Sequence, residues 1–405
     1  MTVEYVISNV RLLLGEELEL IENRAVWVKD GVIEDVIADS EIPEGVLVYD
    51  GQGHLLMPGL IDLHIHMMWD GSADPVATLE SEGYEQMLIR AVANCRHYLE
   101  HGITTVRDIG SVDDIALHVA KSIRRGLVQG PDVIASGKTL TMTGGHDPFW
   151  ARFVDGKDEA LKGVREQIYK GAQVIKVSAT GGAYGRDEGE QVGHSELNLE
   201  ELQTIADEAH RFGLKVASHA IGREGIRNSL LAGIDTIEHG HYLDDELVGL
   251  MKERGAAWIP TLHVYQQLAS MKEIPDYAKE KARKITEIHA NAFRKYLESG
   301  VLVGAGSDAG SPGTSHHALI DELYAMHELI PDTRAILKTA TVNAGKILDL
   351  NVGKIEKGYK ANLLMIADNP LESLSHLEKV KQVIVDDKIL VNHGLTGTPS
   401  LETVR

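Results

Sequence analysis

The sequence is poor in cysteine and contains no long apolar run. Its single cysteine, Cys95, cannot form an intrachain disulfide, and its helical, apolar surroundings predict a buried small hydrophobic side chain. No apolar stretch approaches the roughly 18 residues that a membrane helix needs, and the first residues lack a basic start followed by an apolar core. We therefore expect no membrane partner, no secretory signal and a cytoplasmic location.

Positive charge is also scarce. Forty Lys and Arg residues face 61 Asp and Glu residues, for a net charge of −21, whereas a nucleic-acid partner requires a basic face. Two stretches resemble nucleotide-binding loops, but both fail. The segment 304–310 has the wrong glycine spacing, and the segment 136–139 would need glycine where Asp132 stands. We expect no nucleic acid and no bound nucleotide.

Both ends of the chain are rich in short alternating β patterns. Near the amino end, two such runs flank Asp30-Gly31, which is a strong hairpin signal. The last part of the chain repeats this pattern, with turns of Gly, Asn and Asp. We predict that 1–57 and 352–405 pair into one small β-sandwich module.

Between the two ends, residues 58–351 alternate short apolar runs with amphipathic helices. Three residues predict the limits of one helix. Asn198 caps its start together with Glu201 three positions later, and Gly213 ends it. Eight β/α units predict an α/β fold of the (β/α)8 TIM barrel type. A doubly wound sheet is the alternative, but it would carry a nucleotide motif. The predicted strands lie in 59–66, 104–110, 132–137, 173–179, 214–220, 234–240, 256–262 and 301–308.

Polar side chains stand at the carboxyl ends of these strands, which meet at one mouth of a barrel. His64 and His66 end the first strand, and residues two apart on a strand share a face. A single histidine at such a position is usually just hydrogen-bonded. Four imidazoles at one mouth instead suit Zn²⁺ or a neighbouring first-row metal. The other strand-end groups are Lys176, His219, His239 and Asp308.

Lys176 discriminates between one metal and two. A buried lysine tends to be neutral, because burial disfavours the charged form. A neutral amine can take up CO₂ to give a carbamate, an anionic ligand that can bridge two metals about 3.5–4 Å apart. The alternative is an ion-paired or snorkelling lysine. Without the carbamate, four histidines and one aspartate would more naturally hold one metal.

Together these motifs resemble the amidohydrolase superfamily over essentially the whole chain. The resemblance implies His64, His66 and Asp308 on a first metal, His219 and His239 on a second, and carboxylated Lys176 as the bridge. It also implies a hydroxide between the metals, with Asp308 as the general base and then the acid in amide hydrolysis. The motifs that carry the resemblance are "PGLIDLHIH", "VIKVSATGG", "VASHA", "IEHG" and "GSDAG".

Within that superfamily the chain is similar to the imidazolonepropionase-related branch, which includes metal-dependent Xaa-Pro and Xaa-Arg dipeptidases. Imidazolonepropionase itself resembles a mononuclear type without the bridging lysine, so Lys176 separates this chain from it. The expected substrate is a small molecule, a dipeptide or an N-acyl amino acid, and the alternative is a lactam, a carbamate or an aryl amide. The stretches "TMTGGHDPFW", "IPTLHVYQQL" and "SDAGSPGTSHHALIDEL" carry this similarity.

Four further residues are candidates for substrate contact. His146 follows the third strand and suits a catalytic or substrate-binding role, unless it is only a loop histidine. Tyr265 stands where dipeptidase-like members bind a substrate α-carboxylate, unless it packs at the rim. Arg186 lies in a Gly-rich loop after the fourth strand, which could serve as a lid. His317 follows Asp308 and is either a substrate contact or a solvated residue, and His241 is expected in the pocket or at the surface.

Two rival functions remain. A zinc deaminase of this fold would carry a glutamate three residues after His219, where this chain has Gly222, and the nearest acid, Glu224, lies two positions further on. A non-catalytic scaffold would have lost ligands, and all six are present. We expect two divalent ions, with Zn ahead of Mn and Co because availability decides among them, and a homo-oligomer.

Overall fold

The computed structural model describes residues 3–185 and 189–393 and divides them between one mixed sheet and a ring of parallel strands. Arg186, named above as a substrate contact, lies outside the described residues. The strands are β1 (Glu4–Leu14), β2 (Glu19–Lys29), β3 (Val32–Ala38), β4 (Leu47–Asp50), β5 (Leu55–Pro58), β6 (Leu60–Ile65), β7 (Ile103–Asp108), β8 (Asp132–Ala135), β9 (Thr139–Thr141), β10 (Ala151–Phe153), β11 (Val174–Ser178), β12 (Lys215–Ala220), β13 (Thr236–His239), β14 (Ala257–Ile259), β15 (Leu363–Ile366), β16 (Val380–Val385) and β17 (Lys388–Asn392).

Twelve helices lie within the described ranges, and most of them connect successive strands of the ring. They are α1 (Pro75–Ser81), α2 (Tyr84–Glu100), α3 (Ile115–Arg124), α4 (Lys157–Lys170), α5 (Leu199–Arg211), α6 (Arg223–Ala232), α7 (Asp245–Arg254), α8 (Leu262–Ser270), α9 (Asp276–Tyr296), α10 (Leu319–Leu329), α11 (Thr333–Thr339) and α12 (Val342–Leu348). In the parts of the chain that the structure describes, no helix combines the length and apolar character needed to cross a membrane.

The two ends of the chain form one eight-stranded sheet with the order β17-β16-β15-β5-β1-β2-β3, in which β4 pairs with β1. Strand β5 joins the two ends, because it runs parallel to β1 and antiparallel to β15. The predicted hairpin is confirmed: β2 and β3 pair around Asp30 and Gly31, both at positive φ. The predicted boundaries of the module, 57 and 352, stay predictions.

The predicted α/β barrel architecture is confirmed, with seven of the eight predicted strands present as β6, β7, β8, β11, β12, β13 and β14. Their neighbouring pairs are parallel. The third strand is interrupted at 136–138, and its continuation β9 pairs with β11. The carboxyl ends of these strands therefore face the same side of the ring, as the site requires.

The predicted eighth strand, 301–308, forms isolated bridges rather than a continuous ladder. Its backbone still bonds to both neighbours: Gly304 N donates to Trp258 O at 2.9 Å, and Leu63 N donates to Ala305 O at 3.0 Å. Close packing explains the glycines of this segment. A Cβ on Gly306 would stand 2.6 Å from the Ile259 side chain and 2.7 Å from that of His64. The segment can therefore lie against β6 and β14 only because it lacks side chains there.

Helix α5 shows that local sequence signals position the barrel helices. The Asn198 side chain accepts hydrogen bonds from Glu200 N and Glu201 N, and the Glu201 carboxylate accepts from Asn198 N. This capping box confirms the predicted start of the helix. The prediction for Cys95 is also confirmed, since its side chain is buried in α2.

Candidate metal centre

His64 and His66 are buried side by side at the end of β6, and each has one ring nitrogen occupied. His64 Nδ1 lies 2.9 Å from Glu238 Oε2, and His66 Nδ1 lies 2.9 Å from the carbonyl oxygen of Gly110. Because a carboxylate and a carbonyl can only accept, both Nδ1 atoms must donate. The Nε2 atoms are thereby left as lone-pair donors, and they lie 3.7 and 3.4 Å from Asp308 Oδ1.

His239 and Asp308 both end their strands in the left-handed region, at φ 70° and 58°. Non-glycine residues adopt this conformation at a cost, and such strain concentrates at functional sites. One ligand atom from each of His64, His239 and Asp308 lies within 4.8 Å of the others. Burial alone would raise the pKa of Asp308, but the neighbouring His64 and His66 rings outweigh it and lower that pKa. The carboxylate is therefore held ionised among imidazoles.

His219 reaches the same place from β12. Among the described residues, its buried Nε2 has no hydrogen-bond partner, and its ring centroid lies 4.6 Å from that of His239. Burial lowers the pKa of His219 well below its usual value. A neutral imidazole with an orphaned nitrogen is the form that coordinates a metal.

Lys176 lies in β11 and exposes only 2% of its surface. No ion pair joins its ammonium to a carboxylate in the described ranges, so the snorkelling and ion-paired alternatives do not apply. Burial lowers the pKa of Lys176, although Glu238, Asp147 and Asp308 oppose that effect. The amine is thus biased towards the neutral form that reacts with CO₂.

All six predicted ligands line one pocket. Imidazole, carboxylate and amine donors in one buried pocket fit a divalent first-row metal. The orphaned His219 Nε2 is the strongest single sign of this fit, because a buried polar atom without a partner is costly. The ligand set and its division between two ions stay predictions.

His146 also lines this pocket, with its ring centroid 4.1 Å from that of His219. Its Nδ1 lies 2.6 Å from Glu190 Oε1, and its Nε2 lies 3.3 Å from Asp147 Oδ2. Burial would lower the pKa of His146, but these two carboxylates raise it to about 9. Sequence reasoning did not predict either of these contacts with His146, although Asp147 stands next to it in the chain.

Tyr265 lines the pocket from the first turn of α8, and only 4% of its surface is exposed. The side chain of Thr261, the N-cap residue of α8, makes no capping hydrogen bond to this helix. Glu322 of α10 instead accepts hydrogen bonds from Leu262 N at 2.9 Å and from His263 N at 2.7 Å. Glu322 therefore fixes the turn that carries Tyr265, and sequence reasoning missed it.

Two predicted positions are not brought to the pocket. His317 is exposed and stacks on His101 with ring centroids 4.4 Å apart. His317 therefore does not line the pocket, and its exposed position favours the solvated residue among the two expected alternatives. His241 lies neither in the pocket nor at the surface: it is fully buried and stacks on His289 at 3.8 Å.

The outer wall of the pocket is apolar. It is built by side chains from the loops after the first, fourth and eighth strands and from α8. These side chains are Trp69, Ala183, Tyr184, Val264, Leu268 and Pro312. In the described part of the chain, Lys176 is the one basic side chain other than histidine that lines the pocket. A bound molecule would therefore meet metal-binding groups at the floor and hydrocarbon at the side.

Comparisons with known proteins agree with this arrangement. The model of the amidohydrolase family matches residues 55–390. Ochratoxinase from Aspergillus niger is 29% identical over 92% of this chain and 83% of that protein. Imidazolonepropionase from Caldanaerobacter subterraneus subsp. tengcongensis is 24% identical over 87% of this chain and 85% of its own. The crystal structure of a Xaa-Pro dipeptidase with bound methionine in its active site superposes with a TM-score of 0.86 at 27% identity, covering 95% of this chain and 99% of that one.

Proposed function

This chain belongs to the amidohydrolase family, and on that premise we propose that it is a binuclear metal-dependent hydrolase of C–N amide bonds. The observation that carries the proposal is the convergence of four imidazoles, one carboxylate and one buried lysine on a single pocket. His64, His66 and Asp308 would hold one ion, His219 and His239 would hold the other, and a carbamate on Lys176 would supply an anionic ligand to both. When bound, such ions lower the pKa of a water and polarise a scissile carbonyl.

The protein's own residues supply the remaining steps. An oxygen of the Asp308 carboxylate takes the proton of the attacking water and returns it to the leaving nitrogen. His146, held at Nδ1 by Glu190, directs its Nε2 proton to the substrate oxygen on which negative charge develops. The Tyr265 hydroxyl donates to a substrate carboxylate. Each of these groups lines the pocket.

The apolar wall favours a substrate with an apolar acyl part. The side chains at this wall, which include Leu268, Val264 and Trp69, carry no charge. A charged substrate group buried there would lack a partner, which is costly. A basic acyl residue, as in an Arg-Xaa dipeptide, is therefore disfavoured at this wall. The proposed substrate is an N-acyl amino acid or a dipeptide with an apolar acyl group and a free carboxylate.

The structure argues against the deaminase alternative. The position that would carry the proton-shuttling glutamate is Gly222, and a Cβ there would stand 2.0 Å from the carbonyl oxygen of Gly193. No side chain fits at that position without moving backbone. Glu224 is exposed on α6 and does not line the pocket. Within the described residues, neither Gly222 nor Glu224 can therefore supply the proton-shuttling glutamate of a deaminase.

A substrate screen tests the proposal. Protein stripped by a chelator and reloaded with Zn²⁺, Mn²⁺ or Co²⁺ is assayed for amine release from dipeptides and N-acyl amino acids, with lactams, carbamates and aryl amides alongside. We expect turnover of carboxylate-bearing amides, faster for an apolar acyl group than for a matched basic one. Inertness towards every dipeptide and N-acyl amino acid, with turnover of a lactam or an aryl amide, would reject this substrate class.

A further inference from the structure

A buried ion pair lies directly behind the metal-binding pocket. Arg107 of β7 exposes 2% of its surface and Glu238 of β13 exposes none. Arg107 Nη2 donates to both carboxylate oxygens of Glu238, at 2.8 and 3.0 Å, and Arg107 Nε donates to the carbonyl oxygen of Leu63 at 2.6 Å. The pair therefore links β6, β7 and β13 across the interior of the barrel.

Stability alone does not account for this pair. Moving two charges out of water costs several kcal/mol for each ion, and replacing such a pair by apolar residues is often neutral or stabilising. The protein thus keeps a costly ion pair at two positions where apolar residues such as Val or Leu could pack instead. A function that requires the carboxylate explains its presence better than packing does.

The carboxylate of Glu238 has two further partners: Thr236 Oγ1 donates to Oε1 at 2.5 Å, and His64 Nδ1 lies 2.9 Å from Oε2. The other ligand rings are held differently in the described structure. His66 Nδ1 donates to a neutral carbonyl. His239 Nδ1 donates to the hydroxyl of Thr261, which accepts because its own proton goes to Pro260 O at 2.6 Å. Among these three rings, His64 alone is backed by a carboxylate.

We propose that Glu238 is a positioning residue for the metal centre: it fixes His64 in the tautomer and orientation that present Nε2 to the metal, and Arg107 fixes Glu238 from the opposite side. A carboxylate behind a histidine also makes the ring a stronger ligand. The metal held by His64 and Asp308 is therefore bound more tightly than the metal held by His219 and His239. This inference rests on the metal-binding site of the proposed function.

The test measures metal affinity rather than activity. Stepwise dissociation constants for Zn²⁺ are determined by competition with a chromophoric chelator, for the wild type and for Glu238→Gln, which keeps the shape of the side chain. We expect the tighter step to weaken about 10- to 100-fold and the weaker step to stay unchanged. Asn198→Ala, which removes the cap of α5 at a residue that does not line the pocket, is the control, and it should lower stability without altering either constant.

Each other outcome is decisive. Unchanged constants in Glu238→Gln, with equal loss of unfolding free energy in the stripped and loaded protein, would make the pair purely structural and overturn the inference. Equal weakening of both steps would also overturn it. If Glu238→Gln does not fold, Arg107→Lys keeps the charge without the fork, and it should weaken the tighter step alone. A wild type that binds no divalent metal would reject the proposed function and the inference together.

Discussion

At the scale of single residues, the chemistry of this protein depends on side chains whose burial contradicts their polarity. Lys176, His219 and Asp308 are all buried. Burial lowers the pKa of Lys176 and His219 and so favours their neutral forms, whereas the neighbouring His64 and His66 lower the pKa of Asp308 and keep it ionised. Sequence reasoning reached these residues because they follow apolar runs that read as strands. It did not reach their supports, Glu238 and Arg107, because their contacts join residues 174 and 131 positions apart. The sequence did offer one signal for these supports, because Glu238 and Arg107 are charged residues within otherwise apolar strands.

Lys176 provides the sharpest residue-level prediction. Lys176→Met preserves bulk but removes the amine, so the carbamate cannot form. We expect at least one metal to be lost and activity to fall about 10³-fold, as loss of several kcal/mol of charge stabilisation implies. Elemental analysis and amine-release rates measure the two effects.

Lys215→Met is the matched control, because Lys215 stands in the neighbouring strand and donates to Ile347 O instead. It should keep both metals. Wild-type protein freed of CO₂ should bind its full metal complement only after bicarbonate is added. Full activity in Lys176→Met would show that the bridge does not exist.

Tyr265 and His317 form a second matched pair. Tyr265→Phe removes the hydroxyl that we propose bonds to the substrate carboxylate, and hydrogen bonds to charged groups contribute about 1.5–3 kcal/mol. We expect kcat/KM to fall about 10-fold or more for a carboxylate-bearing substrate and to change little for its decarboxylated analogue. His317→Ala, at a residue that does not line the pocket, should leave both values unaltered. A fall of equal size on both substrates would place Tyr265 outside carboxylate recognition.

At the scale of secondary-structure elements, the sequence predicted what local rules decide. The hairpin at Asp30-Gly31 and the cap at Asn198 depend on neighbouring residues, and both are confirmed. The interruption of the third strand and the irregular eighth strand depend on packing against distant partners. Helix α8 is the clearest case, since its cap, Glu322, comes from another helix. No local sequence pattern around Thr261 predicts that Glu322 will cap this helix.

Glu322 also predicts a pH dependence of stability. Burial raises the pKa of Glu322 from 4.5 to about 8, although the two backbone donors oppose this. Between these values the folded chain binds one more proton than the unfolded chain. The contribution of Glu322 to the free energy of unfolding is therefore complete below the pKa of the unfolded state. It is lost as the pH rises through the pKa of the folded state, at up to about 1.4 kcal/mol per pH unit.

Glu322→Gln removes this titration. Urea unfolding of chelator-treated protein at about pH 5 and about pH 7.5 should show a smaller loss of unfolding free energy in the variant than in the wild type. Equal losses in the two proteins would mean that Glu322 ionises normally in the folded state.

At the scale of the whole molecule, the pocket collects ligands from strands spread along the barrel, while the chain ends build a separate sheet. The fold class could be predicted because β/α alternation is a property of the entire sequence. The cytoplasmic location and the homo-oligomer stay predictions, as does the division at residues 57 and 352. These properties depend on surfaces and partners rather than on the periodicity of single elements.

Metal removal should therefore destabilise the whole barrel. A ligand that binds only the folded state stabilises it by about 2.7 kcal/mol at one hundred times its dissociation constant. We expect the unfolding midpoint to rise on adding Zn²⁺ to stripped protein, and to rise less in His219→Ala, which keeps the other half of the ligand set. Calorimetry measures both midpoints. The same midpoint with and without metal would contradict a site that spans the barrel.

The eighth segment has a consequence for synthesis on the ribosome. Ser307 bonds to Asp62 across a separation of 245 residues, and Asp308 N donates to His64 O at 2.8 Å. His64 and His66 lie at the start of the barrel, and Asp308 lies in its last strand segment. Most of the barrel must therefore be translated before Asp308 can join the two histidines. A nascent chain that stops before residue 301 exposes His64 and His66 without Asp308. The candidate metal centre therefore cannot be complete until the eighth segment has been translated.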